Sequence, residues 1–237
     1  MNYHSEDIRQ VIRDFKTSIN DGLDLKTAEK RLKEDGENAL ESEKNIPIFI
    51  KFINQFKDFM VIVLIAAAVI SAAAEIYSGG REFVDSIVIG VIVVFNAIIG
   101  TVQECRADNA LEALKKMTVP RTKVVREGEE QEINSENIVR GDIILLEAGD
   151  IVPADCRIVE EVALKVDESL LTGETAGVEK SECVLKADIP LAERKNMLYM
   201  GTSVVQGRVR AVVTDTGKNT EMGKISAMLK RDDEETP

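Results

Sequence analysis

The chain has 237 residues, enough for one large or two small domains, and a formal net charge of −12 with no basic block, which argues against nucleic-acid binding. Its three cysteines, Cys105, Cys156 and Cys183, are far apart, odd in number and without metal spacing, as suits a reduced cytosolic compartment. With His4 as the single histidine and no tryptophan, the composition also speaks against a His/Cys zinc site and against aromatic platforms for bases or sugars.

No early apolar core marks a secretory signal, since the first apolar run starts at residue 59. Residues 5–20 read as an amphipathic helix with Ile8, Val11, Ile12, Phe15 and Ile19 at helical spacing. "GLDLKTAEKRLKEDGEN" reads as a second, short helix, capped by Asp24, lined on one side by Ala28, Arg31 and Leu32, and ended by a left-handed Gly36. We assign 1–46 to a cytosolic helical N-terminal segment carrying no chemistry of its own.

Two apolar runs follow, "FMVIVLIAAAVISAAA" at 59–74 and "SIVIGVIVVFNAIIGTVQ" at 86–103, each close to the ~20 residues that a spanning helix needs. Lys44, Lys51 and Lys57 precede the first, Arg106, Lys115, Lys116 and Arg121 follow the second, and only Arg81 lies between them. By the positive-inside rule this is a transmembrane hairpin with spans at about 59–78 and 84–103 and both outer ends cytosolic. Strong helix formers carry the second helix on to about residue 117, before Pro120, for a length of roughly 50 Å. Some 20 Å of it is then a cytosolic stalk beyond the ~30 Å hydrocarbon core. Glu75, Asp85 and Asn96 lie in or beside these runs; two helices rarely surround an ion, so they are weak candidates for ion ligation.

Residues 119–224 read as a β-rich domain. "TKVVREGEEQEI" is a hairpin around Glu127 and Gly128, and "DIILLEAGDIVPADCRIVE" gives two strands around Gly149 and Asp150, with Pro153 at an edge or bulge. "ALKV" and "LYMGTSVVQGRVRAVVTDTG" add strands with turns at Gly201, Gly207 and Gly217. Short strands separated by turn residues point to an all-β sandwich or jelly roll. Residues 225–237 read as a charged linker.

"GKNTEMGKIS" fails as a phosphate loop, because five residues separate its glycines and Ile225 follows Lys224. "VDESLLTGET" is the better candidate, with Asp167, Glu168 and Glu174 as possible acids. Gly173 permits a sharp turn, Thr172 and Thr175 flank it with hydroxyls, and Glu174 stands at a loop tip where it can take a proton from water. A lone base cannot complete a reaction, but it can complete a site on another domain.

"GDIILLEAGDIVPAD" followed by "VDESLLTGE" resembles the actuator domain of P-type ion-transporting ATPases. "FINQFKDFMVIVLIAAAVIS" and "NAIIGTVQECRADNALEALKKM" resemble their first two transmembrane helices and stalk, and "GTSVVQGRVRAVVTDTGKNTEMGKI" their closing actuator strands. Thr175 stands in place of the usual serine and Glu37 in place of a proline. The resemblance implies an N-terminal fragment or truncated product of a longer pump, with a distorted jelly-roll actuator and 225–237 leading toward a third transmembrane helix. It implies that Glu174, with Thr172, Gly173 and Thr175, serves hydrolysis of an aspartyl phosphate held by another domain. The family's Asp-Lys-Thr-Gly-Thr motif is not in this sequence. The chain alone is therefore expected to be inactive and to hold no cofactor or metal, with ATP and Mg2+ belonging to the full-length pump. Expected partners are the bilayer, the phosphorylation and nucleotide-binding domains, and the transported cation. The wording of the membrane segments and stalk is most similar to calcium pumps; sodium, proton or magnesium pumps are the rivals. A non-catalytic, membrane-anchored β-domain with a binding or regulatory role is the alternative from another class.

Overall fold

The computed structural model describes residues 3–40, 47–77, 84–117, 120–173 and 177–235, and the chain forms two compact units. One joins residues 1–42 to 119–237; the other is 43–118. The N-terminal helices set apart in the sequence therefore belong to the same unit as the β-domain.

The first unit is built on seven strands, β1 (Arg121–Arg126), β2 (Glu129–Asn134), β3 (Ile143–Glu147), β4 (Asp155–Asp167), β5 (Val178–Glu179), β6 (Met197–Leu198) and β7 (Ser203–Asp215). They pair antiparallel in the order β2-β1-β3-β7-β4-β5, with β6 on β4. The β1–β2 hairpin turns at Glu127 and Gly128, both at positive φ, where the sequence places it. The central strands read as continuous apolar runs because both of their faces are covered. Val124, Ile144, Leu146, Cys156, Ile158, Ala211 and Val213 form the main core. Their neighbours of opposite parity, Val125, Ile143, Val159 and Val212, pack against Val11 and Phe15 of the N-terminal segment.

That segment holds two helices, α1 (Ile8–Asp14) and α2 (Leu25–Asp35). The first is shorter than its apolar spacing predicts: Phe15 caps it and Lys16, the next residue, takes positive φ. The second follows the sequence reading: the Asp24 side chain accepts the Thr27 N–H at 2.8 Å, and Gly36 closes the helix at φ 81°. Beyond it, buried Asn38 donates to the carbonyls of Ser135 and Pro153 and accepts the Gly217 N–H.

One glycine assignment differs from the sequence. Gly207 does not separate strands; it lies inside β7 at φ 85°, where a Cβ would sit 2.3 Å from the carbonyl oxygen of Val162. This close approach faces a bulge in β4, where Ala163 has φ 50°. Gly217, by contrast, sits at a turn as the sequence places it, a single 3-10 turn (Gly217–Asn219) at φ 52°, and the described part of the stretch read as a charged linker is helical, within α7 (Glu221–Glu235). Its Lys, Arg and Glu residues are good helix formers.

The second unit comprises α3 (Ile48–Gln55), α4 (Phe59–Tyr77) and α5 (Val84–Met117). The bounds of α5 match the predicted span plus stalk. It is the one described helix that alone is long and apolar enough to cross a membrane; α3 and α4 reach that measure only as a pair bent by 61°. Helix α3 is absent from the sequence reading. It rests on α5 through the ion pair of Lys51 with Asp108 and the bond from Gln55 Nε2 to Glu104 at 3.0 Å, and Gln55 occupies the space above Gly100.

Candidate functional site

The candidate loop starts where β4 ends. Asp167 accepts the Ser169 N–H at 2.9 Å, and this bond holds its carboxyl below the usual range. The Glu168 carbonyl accepts the N–H groups of Leu171 and Thr172 and, at 3.2 Å, the Thr172 hydroxyl, so the chain winds into the short helix α6 (Ser169–Thr172). Gly173 ends it at φ 75°, ψ 0° with its N–H on the Ser169 carbonyl. Among the described residues no atom lies within 4 Å of where a Cβ would sit on Gly173, and its positive φ is what favours glycine there. Glu174 and Thr175 lie outside the described residues. The chain returns as β5, with Val178 opposite Val166 and Glu179 opposite Lys165, and a Lys165–Glu179 ion pair at 3.2 Å on the outside.

Of the three acids singled out in the sequence, Glu168 is not presented to solvent. Its side chain is 1% exposed and lies 2.5 Å from the ammonium of Lys180, which is 0% exposed. Burial pushes the Glu168 carboxyl up and the Lys180 ammonium down, and each partner's charge opposes that shift. The contact is an ion pair without a well-directed hydrogen bond: neither Glu168 oxygen has one among the described residues. Lys180 Nζ also lies 3.5 Å from the Arg194 carbonyl and 5.7 Å from the centroid of the buried Tyr199 ring. Neither Lys180 nor Tyr199 stands out in the sequence. A lysine after a two-residue strand carries no periodic signal, and its burial follows only from the packing.

A second polar cluster governs how α7 leaves the sheet. Asp155 at the start of β4 accepts the Met200 N–H at 2.9 Å through one oxygen and the Glu221 N–H at 2.8 Å through the other. The Thr220 hydroxyl accepts the Gly223 N–H at 3.0 Å. Two of the orphan donors at the start of α7 are thereby satisfied. Burial raises Asp155 to about 6, helped by the charges of Asp215 and Glu221.

No group of three or more His, Cys, Asp or Glu residues suited to a metal occurs among the described residues. Asn96 is exposed on α5, Asp85 lies in the first turn of that helix, and the Glu75 side chain lies outside the described residues. Cys105, Cys156 and Cys183 are all free thiols. Among the described residues the site is a loop tied at its base by the bonds of Asp167, Glu168 and Gly173.

Residues 116–230 match the model for the P-type ATPase actuator domain, and residues 3–71 that for the cation transporter/ATPase N-terminus. The chain is 42% identical over 242 residues to calcium-transporting ATPase 1 of Bacillus cereus, covering 100% of this chain and 27% of that protein. It is 41% identical over 230 residues to the calcium-transporting ATPase of Bacillus subtilis, covering 97% and 25%. It is also 35% identical over 228 residues to the sodium/potassium exporting P-type ATPase cta3 of Schizosaccharomyces pombe, covering 95% and 21%. The chain thus spans about a quarter of the length of the curated relatives it matches.

Proposed function

This chain belongs to the P-type cation-transporting ATPases, and on that premise we propose that it is the N-terminal part of an ATP-driven pump whose transported ion is calcium. The observation that carries the reading is the loop between β4 and β5, which stands within the actuator match and contains the Thr172-Gly173-Glu174 sequence. Glu174 positions and deprotonates the water that hydrolyses an aspartyl phosphate carried by another domain. Thr172, Gly173 and Thr175 set its approach, and the seven-stranded unit is the jelly-roll actuator.

Helices α4 and α5 are the two spans, with both chain ends on the cytosolic side and α3 at the membrane's edge. Support comes from the many large apolar side chains exposed along both helices, among them Phe59, Val69, Ile70, Ile87, Val91 and Phe95. Actuator movement acts on these spans through α5 and α7, and so couples dephosphorylation to ion access. ATP and Mg2+ serve the full-length pump, and no residue of this chain is assigned to hold them. The calcium assignment rests on the names of the bacterial relatives and the wording of the membrane segments.

The deciding experiment is ATP-driven uptake into vesicles bearing the full-length pump. Calcium accumulation that sodium, protons and magnesium neither replace nor drive supports the assignment. Sodium or magnesium uptake without calcium uptake would move the protein to a rival ion class. Absence of any ATP-dependent transport would favour a membrane-anchored binding domain.

A further inference from the structure

The Glu168–Lys180 pair is more than a packing contact. The two residues bracket 169–179, the segment that holds the candidate loop. The two strands pair at Val166–Val178 and Lys165–Glu179, with the Lys180 N–H on the Leu164 carbonyl, so the Lys180 side chain reaches back along this short ladder to Glu168 at the loop's entry. Glu168 starts α6 through its carbonyl, and Lys180 is anchored on its other side by the Arg194 carbonyl and the Tyr199 ring. The pair therefore ties the residue at which the loop leaves β4 to the strand by which the chain returns. Two apolar side chains of similar volume would fill this space without the desolvation cost of two charges. What the pair adds is a single geometry.

We propose that Glu168 and Lys180 are positioning residues for the hydrolytic loop, acting as a buried ionic clasp that fixes the pose from which the loop's acid works. This rests on the reading of Glu174 as the base that serves the aspartyl phosphate. The clasp touches neither water nor phosphate; it acts through the backbone that carries Glu174.

The test uses the full-length pump with three variants: Glu174→Ala, Lys180→Met, and the double variant Glu168→Gln with Lys180→Met. Lys180→Met alone leaves a buried carboxylate unpaired and is expected to lower the melting temperature. The double variant removes both charges and is expected to recover the wild-type melting temperature and the wild-type rate of phosphorylation from ATP. Its phosphoenzyme should nevertheless decay about 10–100-fold more slowly, the scale of loss for a reacting group displaced by about 1 Å. Decay that recovers to the wild-type rate along with stability would show that the pair only holds the fold, and would overturn the proposal. The Glu174→Ala arm separates the two ideas. Slow decay there with normal decay in the double variant sinks the clasp alone, while normal decay there sinks the reading of the loop and the clasp with it. Should the double variant fail to accumulate, Glu168→Gln, which keeps the side chain's shape, is read in the same assay against the same two outcomes.

Discussion

The carboxylate of Asp155 accepts the backbone N–H of Glu221 at 2.8 Å, so a side chain at the beginning of β4 holds the first turn of α7. Asp155 is buried and its pKa is raised to about 6 from an ordinary 3.8, burial being the main cause. A carboxyl raised on folding contributes stability that is fully present below its unfolded value and is lost as pH rises through its folded value. Thermal unfolding of the chain should therefore lose about 3 kcal/mol from this group between pH 3.8 and 6, at about 1.4 kcal/mol per unit. In Asp155→Asn that part of the slope should disappear, leaving what the raised carboxyls of Asp215 and Glu168 contribute. The variant should also be less stable by about 1–3 kcal/mol at low pH, because the amide offers one acceptor to two backbone donors. A melting curve series from pH 3 to 8 checks both.

Glu174→Ala in the full-length pump should leave phosphorylation by ATP intact and slow the decay of the phosphoenzyme by about 10²–10⁴-fold, the usual contribution of a general base. Pulse-chase with labelled ATP measures it. Unchanged decay would remove Glu174 from the mechanism.

Gly207→Ala should destabilise the β unit by about 2–4 kcal/mol. The new methyl would meet the Val162 and Ala163 carbonyl oxygens at 2.3 and 2.5 Å on a backbone held at φ 85°. Gly173→Ala meets no atom of the described residues within 4 Å at a similar φ of 75° and should cost about 1 kcal/mol, from conformation. Chemical denaturation of the two variants side by side reads the difference between crowding and strain.

Arg126 grips Asp142 through two bonds, at 2.8 and 2.6 Å, with the Asp142 side chain fully buried. Arg126→Met strands that carboxylate and should cost about 3–5 kcal/mol. Pairing it with Asp142→Asn should return part of the loss, since the amide carries no charge and still offers an oxygen to the Val139 N–H that Asp142 now accepts. Calorimetry on the single and double variants tests this.

Local signals are legible where the physics is local. An apolar run joined to strong helix formers before Pro120 gives α5 almost to the residue, Asp24 announces its own cap, and Glu127-Gly128 announces a hairpin. The turn at Gly173 is legible from the glycine itself, which ends α6 at φ 75°. What stays hidden depends on partners distant in sequence. Gly207 has the composition of a turn, yet it faces a bulge that only the β4–β7 register creates. Glu168 reads as a candidate acid because nothing near it in sequence reveals Lys180 across the loop base. The amphipathic pattern of α1 announces an apolar face but not that the face belongs to the second side of the sheet.

The docking of Val11 and Phe15 on Val125, Ile143, Val159 and Val212 bears on how the protein is made. Those residues leave the ribosome before the sheet they dock on, and their landing surface is finished only when β7 has been synthesised, after α4 and α5. Until then one sheet face and one helical face are bare, a window in which a holding chaperone has something to hold. A shortened chain that begins at residue 119 would make that window permanent, leaving the apolar face of β1, β3, β4 and β7 uncovered.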